Sequence, residues 1–281
     1  MGFRLAAVND RAVLVANDGI YDLERHSDGR FSADPMHAIA GYQELHDVAA
    51  SLGKTPDAPL DESALGLCVP RPQKSFGIGL NYRSHAEESK MDLPTTPLVF
   101  TKFPSCLVGP TSDVIMYGAT TDYEAELVVV IGKRARDIPA ADAWKAIAGL
   151  TCGQDVSERT VQFATRPPHF DMGKSYDTYG PIGPSIVSVD AFSDPSDLAI
   201  SCDVNGERRQ DARTSDLIFG IPELIAYISG ICTLEPGDLI FTGTPSGVGV
   251  MSGTFLTPGD TITTTIEGIG VMTNRCVEKP S

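Results

Sequence analysis

The chain has 281 residues and carries 22 Lys and Arg against 37 Asp and Glu, which gives a formal net charge of −15. Such an acidic surface repels phosphate backbones and anionic lipid head groups, so we expect neither nucleic acid nor a membrane as a partner. With 42% hydrophobic and 21% charged residues the composition is typical of a globular protein with a sizeable core, and no apolar run approaches the ~20 residues of a membrane-spanning helix.

The first part of the chain predicts a few strands followed by a helix. Two apolar runs, 12–16 and 20–23, are separated by an Asp-Gly step at 18–19, and such a step between apolar runs is a strong hairpin signal. Residues 36–52 then carry apolar side chains at helical spacing, with Asp-Pro before the first turn and Gly53 at the end.

A Pro- and acid-rich stretch over 56–62 predicts a linker. We therefore divide the chain into a small N-terminal β/α domain, residues 1–70, and a larger domain, residues 71–281.

In the larger domain, short apolar segments alternate with turns rich in Gly and Pro. We predict strands at 76–80, 98–103, 123–131, 184–189, 198–204, 238–242 and 261–267, and helices at 140–149 and 221–229. The segments show no regular β-α-β alternation, which favours an α+β fold that is rich in strands.

The most informative segment runs from Asp122 to Ile131, with the sequence DYEAELVVVI. Alternate side chains of a strand share a face, so Glu124 and Glu126 lie on one face together with Val128. Apolar residues on both faces predict a strand that is buried on both sides. Two neighbouring carboxylates in such a place need protonation, basic partners or a bound cation; a strand that begins at a solvated edge is the alternative, and the pattern leaves both open.

Asp155 is a candidate third carboxylate. It follows the predicted helix 140–149 in the segment CGQDVSER, and taken alone such an aspartate is more often a turn or capping residue than a ligand. Beside Glu124 and Glu126 it would complete an oxygen-rich site for a hard divalent ion such as Mg²⁺.

Among the five histidines, His85 lies in the segment that most suggests chemistry. On a short helix Glu88 is three residues further on, so the two side chains can meet. A carboxylate on one ring nitrogen fixes the tautomer and leaves the other nitrogen free to accept a proton from water. An exposed helix with both side chains solvated is the alternative interpretation.

Two later segments are ambiguous. Lys174 lies among turn-forming residues, where a lysine usually faces solvent. The strand at 238–242 runs into a Gly-rich turn, residues 243–249, whose backbone N–H groups could hold an anion, although a tight structural turn has the same pattern.

The widely spaced cysteines form neither a C-x-x-C motif nor a zinc-ligand set, which favours free buried thiols in a reducing compartment. The N-terminal segment reaches Asp10 before any hydrophobic stretch of signal-peptide length, so we expect a cytoplasmic protein.

Six segments, in this order, resemble the fumarylacetoacetate hydrolase family in its shorter, bacterial-type acylpyruvase branch. They are GLNYRSHAEE (79–88), DYEAELVVVIGK (122–133), GQDVSERTVQ (153–162), GKSYDTYGPIGP (173–184), VNGERRQ (204–210) and LEPGDLIFTGTPSGVG (234–249). They extend over most of residues 76–275, and six ordered motifs are a more specific signal than any one of them.

The resemblance implies a catalytic domain with a mixed β-roll, a homodimer, and Mg²⁺ or Mn²⁺ held by Glu124, Glu126 and Asp155. It also implies hydrolysis of a carbon–carbon bond in a β-diketo acid, namely an acylpyruvate, a fumarylpyruvate or a 2,4-diketo-3-deoxy sugar acid, to pyruvate and a carboxylic acid. Oxaloacetate decarboxylation, and isomerisation or hydration of a 2-oxo-diene acid, are alternatives that would use the same metal site. A metal-binding scaffold without catalysis is the remaining interpretation.

By the same analogy, His85 with Glu88 activates water, and Lys174 stabilises the leaving carbanion or enolate. The residues that resemble substrate contacts are Arg83, Gln162 and Thr244.

The small anionic 2-oxo acid expected as substrate needs a local positive field on so acidic a protein, which the metal, Arg83 and Lys174 would supply. Residues 83–97 carry His85 and end at two prolines, and we expect them to form a lid that becomes ordered when substrate binds.

Overall fold

The computed structural model describes residues 2–280, and this part of the chain is rich in strands. In chain order its strands are β1 (Arg4–Val8), β2 (Arg11–Ala16), β3 (Gly19–Asp22), β4 (Ala58–Pro59), β5 (Ser75–Gly79), β6 (Leu98–Thr101), β7 (Leu107–Val108), β8 (Val114–Met116), β9 (Thr121–Asp122), β10 (Ala125–Ile131), β11 (Ile147–Gln154), β12 (Ser157–Glu158), β13 (Gly180–Val187), β14 (Ala199–Val204), β15 (Glu207–Arg213), β16 (Leu239–Phe241), β17 (Thr261–Ile266) and β18 (Gly270–Glu278).

The helices in the same residues are short. The α-helices are α1 (Leu23–His26), α2 (Pro35–Ala40), α3 (Tyr42–Ser51), α4 (Arg83–Glu88), α5 (Arg159–Gln162), α6 (Phe170–Gly173), α7 (Ile221–Ile231) and α8 (Gly249–Ser252). Segments of 3-10 helix are Glu62–Ala64, Pro104–Cys106, Ala140–Ala146, Val189–Ala191 and Thr214–Asp216. None of the helices within residues 2–280 has the length and apolarity that crossing a bilayer requires.

One large sheet runs through the described part of the chain. Its hydrogen-bonded order is β4-β3-β2-β1-β13-β11-β10-β16-β5-β6, with β7 paired to β13. A second sheet has the order β15-β14-β17-β18-β8, and β9 pairs with β12. The chain therefore has an α+β fold that is rich in strands, which confirms the predicted fold class.

The central strand β10 is buried along its whole length. Leu127, Val129 and Ile131 belong to one apolar core, which includes α7 and inner residues of the β14-β17 pair. Val128 and Val130 belong to a second core, on the other face. The predicted burial on both sides is confirmed, and each of these aliphatic side chains contributes roughly 1.5–3 kcal/mol to folding.

The N-terminal residues pack against this sheet. The predicted hairpin is formed by β2 and β3, and Leu5 of β1 lies opposite Ile186 of β13. Leu5 and Leu45 also share the second apolar core with Val128 and Phe241. The division of the chain at residue 70 stays a prediction.

Two N-terminal expectations differ from the structure. The predicted helix 36–52 is divided into α2 and α3 at Gly41, where a Cβ would lie 2.6 Å from the Phe31 ring, and it ends before Gly53. The predicted linker 56–62 contains β4, which pairs with β3, so part of it belongs to the sheet.

The predicted helix 140–149 was wrong. Residues Ala140–Ala146 form a 3-10 segment, and β11 begins at Ile147. Pairing with β10 and β13 outweighs the helix propensity of this alanine-rich stretch. Asp155 therefore follows a strand, not a helix.

All six cysteines are free, as predicted. Five of them are buried and Cys232 is half-buried.

Candidate active site

Glu124, Glu126 and Asp155 lie at the end of the β10-β11 pair. Glu126 is opposite Gly153 in the antiparallel register, and the Asp155 backbone N–H donates to the Glu124 carbonyl at 2.9 Å. One carboxylate oxygen from each residue lies within 4.8 Å of the other two, and all three residues are buried. The sequence pattern left a solvated edge open as an alternative for the two glutamates, and their burial excludes it.

The pKa values of the two glutamates are shifted in opposite directions. Burial raises the pKa of Glu126 well above its usual value, and the neighbouring Asp155 and Glu124 raise it further. Burial also acts to raise the pKa of Glu124, but Lys174 and Arg159 outweigh it and lower the pKa to about 2. A divalent cation would relieve the repulsion at Glu126, and a buried set of three carboxylates suits a hard ion such as Mg²⁺ or Mn²⁺. The residues present therefore fit a metal site.

Lys174 is buried within this cluster, although a lysine among turn residues usually faces solvent. It follows α6, and its Nζ lies 2.7 Å from Glu124 Oε2, 2.7 Å from Asp155 Oδ2 and 2.8 Å from Ser157 Oγ. The structure thus brings the predicted lysine and the predicted carboxylates together.

Lys102 is a member of the cluster that the sequence analysis missed. Its side chain is fully buried, its Nζ lies 2.6 Å from Asp155 Oδ1, and it also donates to the carbonyls of Lys174 and Tyr179. Burial acts to lower the pKa of Lys102, but the Asp155 charge, the hydrogen bond to Asp155 and smaller neighbouring charges together outweigh burial. The pKa is therefore raised, and the ammonium stays charged. The only signal in the sequence is a lysine within the predicted strand 98–103, outside every motif.

Arg159 and Asp122 are two further missed residues, although both lie inside the quoted motifs. Arg159 Nε donates to Asp122 Oδ2 at 2.8 Å, and its Nη2 lies 2.7 Å from Glu124 Oε1. Gln162, a predicted substrate contact, accepts from Arg159 Nη1 at 2.8 Å. The cationic side chains of the cluster are thus Arg159 and the two lysines.

The loop after β16, residues 242–248, binds the carboxylates of Glu126 and Glu88 through its backbone N–H groups; we call it the β16 loop. The Gly243 N–H donates to Glu126 Oε2 at 2.7 Å, and the Gly247 N–H lies 3.1 and 3.2 Å from the two oxygens of Glu88. Both glycines have positive φ, 105° and 100°, and a Cβ at Gly247 would lie 2.0 Å from a backbone oxygen. The N–H groups that the sequence suggested for an anion bind the protein's own carboxylates.

His85 and Glu88 face each other on α4. His85 Nδ1 lies 3.5 Å from Glu88 Oε2, which is long for a hydrogen bond. Catalytic hydrogen bonds are often this long in the absence of substrate and shorten when it binds. Beyond α4, residues 89–97 lead to β6 through turns and bends, with Met91 and Leu93 exposed. The role of 83–97 as a lid stays a prediction.

A cavity of about 420 Å³ lies beside this cluster. Predicted site residues that line it are His85, Glu124, Gln162, Lys174 and Thr244. The Thr244 hydroxyl donates to the Ala125 carbonyl at 2.9 Å.

Arg83 is not part of this arrangement. Its guanidinium donates to the Leu217 carbonyl at 2.9 Å. Arg83 is not among the described residues that line the cavity. The arginine that lies at the site is Arg159 and not Arg83, because α4 turns the side chain at position 83 toward the 214–217 segment.

Comparison with known proteins gives several matches. The fumarylacetoacetate (FAA) hydrolase C-terminal family matches residues 74–277. Human oxaloacetate tautomerase FAHD2A, mitochondrial, is 40% identical over 232 residues, which are 81% of this chain and 74% of that protein. A fumarylacetoacetate hydrolase domain-containing protein 2 homolog from Dictyostelium discoideum is 44% identical, over 73% of this chain and 71% of that protein.

Solved structures match over nearly the whole chain. A Mycobacterium smegmatis protein provisionally named HpcE is 42% identical with a TM-score of 0.93, covering 99% of this chain and 100% of that one. Maleylpyruvate hydrolase from Sphingobium sp. SYK-6, solved with manganese(II) and pyruvate, is 30% identical with a TM-score of 0.83, again over 99% and 100%. The structural likeness thus includes the first seventy residues, which lie outside the family match.

Proposed function

Because the chain belongs to the fumarylacetoacetate hydrolase family, and is an enzyme of that family, we propose that it hydrolyses the C3–C4 bond of an acylpyruvate to pyruvate and a carboxylic acid. The observation that carries the proposal is that His85, which faces Glu88, lines the same cavity as Glu124 of the buried carboxylates. Hydrolysis needs an activated water, and decarboxylation does not. A site for decarboxylation alone would not require this pair.

In the proposed reaction, His85 accepts a proton from water while Glu88 holds the other ring nitrogen and the tautomer. The hydroxide equivalent adds to the C4 carbonyl of the acylpyruvate. The C3–C4 bond then breaks, its electron pair moves to C3, and protonation of the resulting pyruvate enolate at C3 gives pyruvate. The acyl group leaves as the carboxylic acid, so one water is consumed for each bond broken.

The charged side chains of the cluster prepare the site for the anionic substrate. A Mg²⁺ or Mn²⁺ ion held by Glu124, Glu126 and Asp155 would act as a Lewis acid toward the 2-oxo acid end of the substrate. Lys174 places its ammonium beside that end, where negative charge develops in the enolate. Arg159 keeps Glu124 in position through the ion pair between its guanidinium and the carboxylate.

The test is an ultraviolet assay of metal-stripped protein with acetylpyruvate and with oxaloacetate, each with and without Mn²⁺. We expect metal-dependent loss of the diketone absorbance, with pyruvate and acetate formed in equal amounts. Turnover of oxaloacetate without any hydrolysis of acylpyruvates would contradict the proposal.

A second candidate function is keto–enol conversion of oxaloacetate, which the names of relatives about 40% identical favour. This reaction moves a proton between C3 and the enol oxygen and uses no water. Following enol absorbance separately from pyruvate release distinguishes conversion from decarboxylation in the same assay.

Replacement of His85 by Gln should reduce acylpyruvate hydrolysis by about a hundredfold, because the group that accepts the proton from water is removed. Oxaloacetate decarboxylation, which uses no attacking water, should persist in part. The matched control is His37→Gln, an exposed histidine on α2, which should leave both rates unchanged. Equal loss of both activities in His85→Gln would contradict the separate role of the activated water.

Assembly as a homodimer remains part of the proposal. Light scattering of the purified protein should give about twice the 29.9 kDa chain mass.

A further inference from the structure

The cationic side chains that line the cavity are committed to the carboxylate cluster. Among the described residues that line the cavity, the lysine is Lys174 and the arginine is Arg159. Arg159 Nη2 lies 2.7 Å from oxygens of both Asp122 and Glu124, and Lys174 Nζ lies 2.7 Å from Glu124 and from Asp155. Both side chains are nearly fully buried, so neither can move away from the cluster toward a second anionic group without leaving a buried carboxylate unpaired.

The rest of the cavity is lined mainly by apolar side chains, which form what we call the apolar wall. The apolar wall comprises Leu98, Phe100, Phe163, Phe170, Val250 and Met251. It begins directly beside the charged end, because Lys174 Nζ lies 5.3 Å from the centre of the Phe100 ring. Phe170 packs edge-on against Phe100 with ring centres 5.6 Å apart.

Several members of the apolar wall are exposed although they are large. Leu98 is 48% exposed, Phe163 49% and Met251 43%. A single exposed apolar side chain is ordinary, but a group of them around one cavity indicates a binding surface. A substrate that extends along the apolar wall would bury these side chains.

We propose that the acyl group of the substrate is uncharged and apolar, an inference that rests on the proposed hydrolysis of an acylpyruvate. A second carboxylate at the apolar wall would lose its hydration without gaining a cation, which is unfavourable. An alkyl or aryl group would instead move from water to an apolar surface. The cavity of about 420 Å³ has room for several carbons beyond the diketo acid itself.

The kinetic test uses the Mn²⁺-loaded enzyme and compares acetylpyruvate, butanoylpyruvate, hexanoylpyruvate and fumarylpyruvate. We expect kcat/KM for the alkyl series to increase about two- to fourfold with each methylene. Fumarylpyruvate, with its second carboxylate, should be at least about tenfold slower than butanoylpyruvate, whose acyl group has the same four carbons. A flat series, or a preference for fumarylpyruvate, would overturn the inference while leaving the proposed hydrolysis intact.

A binding measurement tests the inference independently of the reaction. Calorimetry of the Mn²⁺-loaded protein would compare 2-oxooctanoate with 2-oxosuberate, which have the same chain length and differ in the terminal carboxylate. We expect the monoacid to bind at least about tenfold more tightly, even if no acylpyruvate is hydrolysed. Equal affinities, tighter binding of the diacid or no binding of either compound would contradict it.

A charge placed on the apolar wall should change the preference. Met251→Lys should raise the rate of fumarylpyruvate relative to hexanoylpyruvate by about tenfold, because the second carboxylate gains a partner. Ile231→Lys adds the same charge at a 66% exposed position at the end of α7, outside the cavity, and should leave the ratio unchanged. An equal shift in both variants would assign the effect to overall charge and count against the apolar wall.

Discussion

Replacement of Glu126 by Gln should lower the affinity for Mn²⁺ by more than about 100-fold and abolish metal-dependent turnover. Loss of a residue that only hydrogen-bonds a metal ligand costs about 10- to 100-fold in affinity, and loss of a ligand itself should cost more. The metal-free variant should be at least as stable as the wild type. Its amide oxygen can still accept from the Gly243 N–H, and its NH₂ group can donate to the neighbouring carboxylates instead of repelling them. Calorimetric titration with Mn²⁺ and melting curves with and without the ion measure both effects.

Glu44→Gln on the exposed face of α3 is the control, and it should keep the wild-type affinity and the Mn²⁺-induced rise in Tm. Wild-type Mn²⁺ affinity in Glu126→Gln would show that the three carboxylates are not the metal site.

In the absence of metal, the difference in stability between the wild type and Glu126→Gln should depend on pH. Because the pKa of Glu126 is raised in the folded state, the folded protein keeps a proton that the unfolded chain releases above about pH 4.5. The free energy of unfolding of the wild type should therefore fall relative to Glu126→Gln as the pH rises above that value. Urea denaturation at about pH 5 and about pH 8 measures the free energies of unfolding of both proteins. The advantage of Glu126→Gln over the wild type should be larger at the higher pH.

Replacement of Lys102 by Met should destabilise the fold by about 3–5 kcal/mol, the usual result of removing one partner from a buried ion pair. Asp155 keeps Lys174 on one oxygen but loses its partner on the other, and two backbone carbonyls lose a donor. Urea denaturation of the metal-free protein is the measurement, since it separates this effect from metal binding.

Lys54→Met, an exposed substitution of the same type, should change the free energy of unfolding by less than about 0.5 kcal/mol. The double variant Lys102→Met with Asp155→Asn should recover part of the loss, because the uncompensated charge is gone. A loss below about 1 kcal/mol in Lys102→Met would mean that Lys174 alone neutralises Asp155.

The strands that could be predicted from the sequence are those with apolar runs, and β10 is the clearest case. The strands that were not predicted lack such an apolar pattern, for a different reason in each case. In β11, a Cβ at Gly149 would lie 2.4 Å from the Val187 carbonyl, so its glycines reflect close strand contact that no local pattern shows. The edge strand β15 is largely charged and exposed, and it resembles a loop.

β18 could have been found. Its buried residues Met272, Asn274 and Cys276 alternate with exposed ones, which is the two-residue period of a strand with one face in the core. The polar Asn274 interrupts the apolar signal, because its amide is buried to donate to backbone carbonyls.

The site divides in the same way. Glu124 and Glu126 could be placed on one face from spacing alone, and the resemblance brought Asp155 to them. Lys102 could not be found, because its role depends on β6 lying where its side chain reaches Asp155, a contact 53 residues apart in the chain. Arg83 shows the converse: it lies within a motif, but the direction of α4 takes its guanidinium away from the cavity.

The β16 loop sets the spacing between the candidate metal ligands and the candidate water-activating pair, because one short backbone segment holds Glu126 at one end and Glu88 at the other. The apolar wall is formed by side chains on β6, at the end of α5, on α6 and on α8, which directly follows the β16 loop. The side chains that would perform the reaction are therefore different from those that would select the acyl group. An engineer could alter the substrate range through Leu98, Phe163 or Met251 without changing the distance over which the chemistry takes place.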